Sequence, residues 1–208
     1  LAVTACAPQA YAQAIRGFYV GGSLGYSTQA NGNYPIAPSP DTNLAPPNTR
    51  LNTTWDPGFV GALAIGFGTV QFPFRVELEA NYRRYRQNRT DSLIFARHFT
   101  DGGGSAGTLG VMINGLFDLD LRRLGAAWPV VAYAGAGMGY AWRRLEGVGG
   151  SVTGNRLVIS DNTGGVVYQA MAGFYSDLDW AGLPRWLIGL EYRYVIAGPG
   201  GLRARATG

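Results

Sequence analysis

The sequence predicts an all-β protein: an antiparallel up-and-down transmembrane β-barrel, with eight strands in the full protein and seven present here. The first sign is the run from Phe74 to Arg83. Phe74, Val76, Leu78, Ala80 and Tyr82 alternate there with Arg75, Glu77, Glu79, Asn81 and Arg83. A strand sends successive side chains to opposite faces, so one face is wholly apolar and the other wholly polar. A helix, at 100° per residue, would scatter Arg75, Glu77 and Glu79. The second sign is hydropathy. Only 14% of the residues are charged, yet no apolar run approaches the ~20 residues of a spanning helix. The third is that the connections between strands alternate long and short, as do the outer loops and periplasmic turns of outer-membrane barrels.

Residues 1–14 read as the remnant of an export signal, with Ala12-Gln13-Ala14 as a small-x-small cleavage site. Residues 15–208 are then the barrel domain. Val3-Thr4-Ala5-Cys6 also fits a lipoprotein box, which would acylate Cys6. Cys6 is the single cysteine, so the sequence offers no disulfide framework and no Cys-based metal or redox site.

The first strand is 17–27, with Phe18, Val20, Leu24 and Tyr26 on one face and Tyr19, Gly21, Ser23 and Gly25 on the other. Residues 28–57, rich in Asn, Pro and Thr, lack periodicity and read as a loop. The second strand, 59–67, sets Phe59, Leu63, Ile65 and Phe67 against Val60, Ala62, Ala64 and Gly66. A turn with Gly68 and Pro73 leads into the third, which runs out into a loop carrying Asp91, Arg97 and His98. The fourth, 108–118, alternates Leu109, Val111, Ile113 and Phe117 with Met112, Asn114 and Asp118. The fifth is 130–142, and a longer loop follows over 143–165, in which 156–160 extends a strand. The sixth, 166–178, opposes Tyr168, Ala170, Ala172 and Phe174 to Gln169, Met171, Gly173, Tyr175 and Asp177. The seventh, 186–195, opposes Trp186, Ile188, Leu190, Tyr192 and Tyr194 to Gly189, Glu191 and Arg193. Aromatics near the ends of the apolar faces have the spacing of two interfacial girdles.

Residues 196–208 carry no aromatics and cannot present a lipid face about ten residues long. They read as part of an outer loop, so the last strand is expected to be missing. The first and seventh strands should then stand as unpaired edges, two strand spacings (~10 Å) apart.

Gly17-Phe18-Tyr19-Val20-Gly21-Gly22 resembles the opening strand of the opacity-type and OmpA-like small outer-membrane barrels. Val76-Glu77-Leu78-Glu79, Val111-Met112-Ile113-Asn114 with Asp118, and Ala134-Gly135-Ala136-Gly137-Met138-Gly139-Tyr140 resemble the surface-antigen branch of that superfamily. Tyr168 to Gly173 and Gly189 to Tyr194 continue the likeness, which covers nearly all the strands and none of the loops. It implies an eight-stranded monomeric barrel in the bacterial outer membrane, with a structural, immunogenic or adhesive role and no common activity.

On this reading the interior polar cluster is Arg75, Glu77, Glu79, Asn81, Arg83, Asn114, Asp118, Gln169, Asp177, Glu191 and Arg193. Eight strands leave a lumen that side chains can fill, so mixed signs favour a salt-bridged plug over a narrow ion path. The small inward residues Gly21, Gly25, Ala62, Gly135, Gly137 and Gly139 make room for long side chains from opposite strands. Glu77 and Glu79 lie roughly 6.6 Å apart along one strand, near the carboxylate spacing of inverting glycosidases. Ion pairing with Arg75, Arg83 or Arg193 is the simpler account. Some small barrels are lipid A hydrolases using His and Ser, so His98 with Ser92 or Ser105 is a further catalytic alternative. Asp118-Leu119-Asp120 and Asp177-Leu178-Asp179 could hold a cation but read as strand-terminating acids. The Gly135-to-Gly139 run opens no helix and is no dinucleotide fingerprint.

The sequence therefore predicts no catalytic residue, no cofactor, no metal and no nucleic-acid partner. All 17 basic residues are Arg, which binds phosphate bidentately. Arg83, Arg84 and Arg86, with Arg143 and Arg144, are expected as an outer collar. Arg84, Arg86, Arg143 and Arg144 are the candidate lipopolysaccharide contacts. The expected partners are outer-membrane lipid and lipopolysaccharide, with host or envelope proteins met through the loops.

Overall fold

A computed structural model describes residues 2–7, 15–29, 32–35, 50–69, 71–92, 97–98, 104–124, 129–152, 155–183 and 185–197. In chain order its strands are β1 (Ala2–Ala7), β2 (Gly17–Ser27), β3 (Gly32–Pro35), β4 (Arg50–Trp55), β5 (Gly58–Gly68) and β6 (Phe74–Ser92). They continue with β7 (Arg97–His98), β8 (Ser105–Asp120), β9 (Val130–Val152), β10 (Asn155–Asp177) and β11 (Leu187–Ala197). Two short 3-10 turns, Leu121–Leu124 and Asp179–Ala181, sit between strands.

Antiparallel pairing runs β2–β5–β6–β8–β9–β10–β11. These are the seven strands expected from the alternation. The ring closes through β1, which pairs with β2 on one side and β11 on the other. Ala5 stands opposite both Gly22 and Ile188. The expectation of two unpaired edges is thus corrected. The slot between β2 and β11 exists, but a strand from the segment read as a leader occupies it. The physical reason is the one that motivated the expectation: backbone N–H and C=O groups left unbonded in lipid cost several kcal/mol each.

Three predicted loops also turn out to contain strand. β6 continues to Ser92, nine residues past Arg83. β9 and β10 pair as one long hairpin from Val130 to Asp177, with Arg143 opposite Thr163 and Val152 opposite Asn155. Within 28–57, β3 pairs with β4 and β4 with the end of β6. These extensions lie at the long-loop end of the barrel, where water satisfies edges and the apolar alternation is no longer needed. The connections at the other end stay short: 69–73, 121–129 and 178–186.

The burial pattern is inverted relative to a soluble sheet. Phe18, Leu63 and Ile113 are 86%, 70% and 60% exposed, whereas Glu79 is 2% and Asn114 0% exposed. Large apolar side chains on this scale belong in hydrocarbon, not water. Phe18, Phe67, Phe74 and Phe117 mark the short-turn end of the outer face, and Tyr26, Phe59, Tyr82 and Trp142 the long-loop end. From Phe74 to Tyr82 is ~26 Å along the strand and ~20 Å after a tilt of ~40°, close to the height of the lipid band.

Leu78 lies midway between Phe74 and Tyr82 on β6 and is exposed on the lipid side. Leu78→Arg should destabilise the barrel by roughly 2–4 kcal/mol, measured as a lower urea midpoint of the chain refolded in vesicles. An unchanged midpoint would mean that the faces are assigned the wrong way round.

Candidate functional site

The inward face of each strand supplies one level of the lumen after another. At the short-turn end, Ile15, Leu116, Val131, Met171 and Tyr175 form an apolar floor, with Leu187 packed against it. The Ile15 backbone N–H donates to the Tyr175 hydroxyl at 3.3 Å.

Arg75 stands on this floor. Its Nε donates to Asp118 Oδ1 at 3.1 Å, and its Nη1 donates to Glu77 Oε1 at 2.7 Å and to the Tyr19 hydroxyl at 3.1 Å. Tyr19 in turn donates to Glu77 Oε1 at 2.6 Å. The guanidinium lies 4.8 Å from the centre of the Tyr133 ring, 5.5 Å from that of Tyr175 and 5.7 Å from that of Tyr19. Three aromatic faces and two carboxylates therefore replace its water, which is what a buried cation requires.

The next level is centred on Glu79 and Arg193. Glu79 Oε1 accepts from Arg193 Nη1 and from Asn81 Nδ2, the latter at 2.8 Å, and Oε2 accepts from Asn114 Nδ2 at 3.2 Å. Asn114 Oδ1 accepts from Gln169 Nε2 at 2.6 Å. Arg193 also donates from Nε and Nη2 to Glu191 Oε1, at 3.0 and 2.6 Å. Tyr133 donates to Glu191 Oε2 at 2.9 Å, tying this level to the one below. The small residues opposite make the space for it. A Cβ at Gly137 would collide with the Asn114 amide, and one at Gly66 with the Tyr19 ring. A pocket of about 50 Å³ lies between Gly21, Ala62, Ala64 and the charged cluster.

Toward the long loops, Arg83 points inward and is half-buried. Trp55, Tyr85 and Ala106 form a second apolar cluster, with Leu145 against it. Arg143 is buried there, 5.5 Å over the Trp55 ring.

Nine of the predicted interior residues, Arg75, Glu77, Glu79, Asn81, Asn114, Asp118, Gln169, Glu191 and Arg193, thus meet in two linked networks. Arg83 lies above them. Asp177 has the inward parity but sits at the short-turn rim, at the last position of β10. Arg84, Arg86 and Arg144 are exposed on the outer face at the long-loop end. Arg143 corrects the predicted set of lipopolysaccharide contacts: β9 runs on through it, and its parity turns it into the lumen. Tyr19, Tyr133 and Tyr175 are partners that the charge-based list missed, although each shares the polar face of its strand. Trp55 was hidden in a stretch without periodicity.

Glu77 and Glu79 belong to different levels, each already accepting from an arginine, so they do not face a common substrate space. Asp118 is held by Arg75, and Asp120 Oδ1 accepts from the Arg122 backbone N–H at 3.0 Å. Among the described residues there is no His, Cys, Asp and Glu group that could hold a metal ion. His98 is opposite Asp91 in the β6–β7 register, while the His98 and Ser92 side chains lie outside the described residues.

A family model described as outer membrane protein beta-barrel domain matches residues 1–207. An outer membrane protein of Gluconacetobacter diazotrophicus is 29% identical over 189 residues, covering 89% of this chain and 48% of that protein. The chain thus spans about half the length of the curated relative it matches. No solved structure matches the chain.

Glu79→Leu removes the acceptor of Arg193, Asn81 and Asn114 at once. Breaking such a buried pair from one side costs about 3–5 kcal/mol, and urea unfolding in vesicles should show a loss of that size. Glu79→Gln, which keeps an acceptor oxygen, should lose less. Equal stability of wild type and Glu79→Leu would show that the network contributes nothing to the fold.

Proposed function

Because this chain belongs to the outer membrane protein β-barrel domain family, we propose that it is a non-enzymatic surface protein whose barrel is a structural anchor and whose long-loop end makes its contacts. It lies in the bacterial outer membrane. The observation that carries the proposal is the filled lumen. Two hydrogen-bonded networks and an apolar floor occupy the bore, and the pocket beside the charged cluster is about 50 Å³, room for a few waters. A solute path would need a continuous column of water instead. A protein that neither conducts nor holds a substrate space acts through its surface. The partners consistent with this are lipopolysaccharide around the barrel and host or envelope proteins at the loops, met by a monomer.

The second reading is a narrow ion path, favoured by the unbroken polar column that β6 presents from Arg75 to Arg83. Planar-bilayer recording separates the two. The refolded chain should show no steps above the lipid background. Reproducible steps of uniform conductance would favour the channel. His98→Ala should leave the lipid A mass of expressing cells unchanged. A mass difference between wild-type and variant cells would restore the enzymatic reading.

A further inference from the structure

We propose that a groove on the outer face of the barrel, spanning β6, β8 and β9 at the long-loop rim, is a binding site for a phosphate group of lipid A, the membrane anchor of lipopolysaccharide. The proposal rests on the orientation above, with the long-loop end in the outer leaflet, and assigns it a specific site.

The register builds the groove. Arg84 on β6 stands opposite Gly107 on β8, and Gly107 stands opposite Arg144 on β9. Two arginines therefore flank a glycine in one row across the sheet, with their backbones ~10 Å apart, two strand spacings. All point outward, because each is in register with the lipid-facing Tyr82, Leu109 and Trp142 one pair further down. Gly107 adds no side chain to the middle of the row, where the Tyr82 hydroxyl comes within 3.3 Å of the place a Cβ would take, and the groove there is about 430 Å³. An arginine side chain reaches roughly half of a 10 Å gap, so two forks converge on a single tetrahedral anion.

The row below and the row above fit the rest of such a lipid. Below, Leu109 lies between Tyr82 and Trp142, an apolar seat for an acyl chain bordered by interfacial aromatics. Above, Ser105 adds a hydroxyl to the lining. A charged group already borders the site: Arg144 Nε pairs with Glu146 Oε1 at 2.9 Å. Both side chains are more than half exposed, at 74% and 55%, and exposed ion pairs of this kind are weak. A phosphate accepting from two guanidinium forks outcompetes a single carboxylate.

Native mass spectrometry of the refolded chain in micelles tests this, with bisphosphorylated lipid A and the same lipid after enzymatic removal of its phosphates as probes. The wild type should bind the phosphorylated form roughly tenfold tighter, the effect of charge-assisted hydrogen bonds that only the phosphate accepts. Arg84→Gln/Arg144→Gln should abolish this preference. Glu146→Gln should increase it, and Arg16→Gln, at the opposite rim, should leave it intact. Heat-modifiability on gels checks that each variant is folded. No preference in the wild type, a preference that survives in the double variant, or displacement of lipid A by millimolar inorganic phosphate would overturn the site. Failure of the underlying orientation reads differently. In a Cys6→Ser background, an impermeant maleimide should label Asn88→Cys, exposed on β6 beyond the groove at the long-loop end, in intact cells. Labelling only after permeabilisation would overturn the orientation and with it the proposed function, whatever the micelle result.

Discussion

Hydrocarbon offers no hydrogen bonds, so a chain that crosses it as strands has to bond every backbone group to a neighbouring strand. Closure follows from this constraint, and most other features follow from closure. A ring of eight strands fixes a narrow bore, and a strand period of two then sorts each residue into lipid or bore. Because the lipid side takes Phe, Leu, Val and Ile, the polar residues have nowhere to go but inward. The slot between β2 and β11 shows the force of the constraint. Ala2–Ala7 settles there as a bonded strand although its composition has no barrel alternation of aromatic and polar residues.

A bore of that width converts inward charges from a liability into packing material. An isolated buried arginine is costly, but Arg75 and Arg193 each meet two carboxylates and aromatic or amide neighbours. The satisfied network is stiff in a way that an apolar filling is not, since each hydrogen bond fixes an orientation. Glycines and alanines on β2, β5 and β9 leave the width that long side chains on β6 and β11 consume. Plug and wall are thus one design, and removing a carboxylate disturbs both.

The sorting rule was readable in the sequence, and so were the seven strands and nine residues of the two networks. What was not readable lies where lipid stops acting. Beyond Arg83 on β6 and beyond Trp142 on β9 the strands continue in water, held by backbone pairing that leaves no alternation to detect. Ending β9 at Trp142 misplaced Arg143, which one further step of parity turns inward. The tyrosines of the floor were overlooked because a list of charges omits the aromatic faces that make a buried guanidinium tolerable. Trp55 had no signal at all, since its place over Arg143 depends on contacts across the mouth of the barrel.

The central claim is that the lumen is closed by coupled ion pairs rather than by side chains that merely fit. A double-mutant cycle on Glu79→Gln and Arg193→Gln, read by urea unfolding in vesicles, tests it most directly. Groups sharing one network typically couple by 0.5–3 kcal/mol, and a coupling of about 1.5 kcal/mol or more is expected here. If the two losses simply add, within about 0.5 kcal/mol, the pair is not coupled and the account of the plug is wrong.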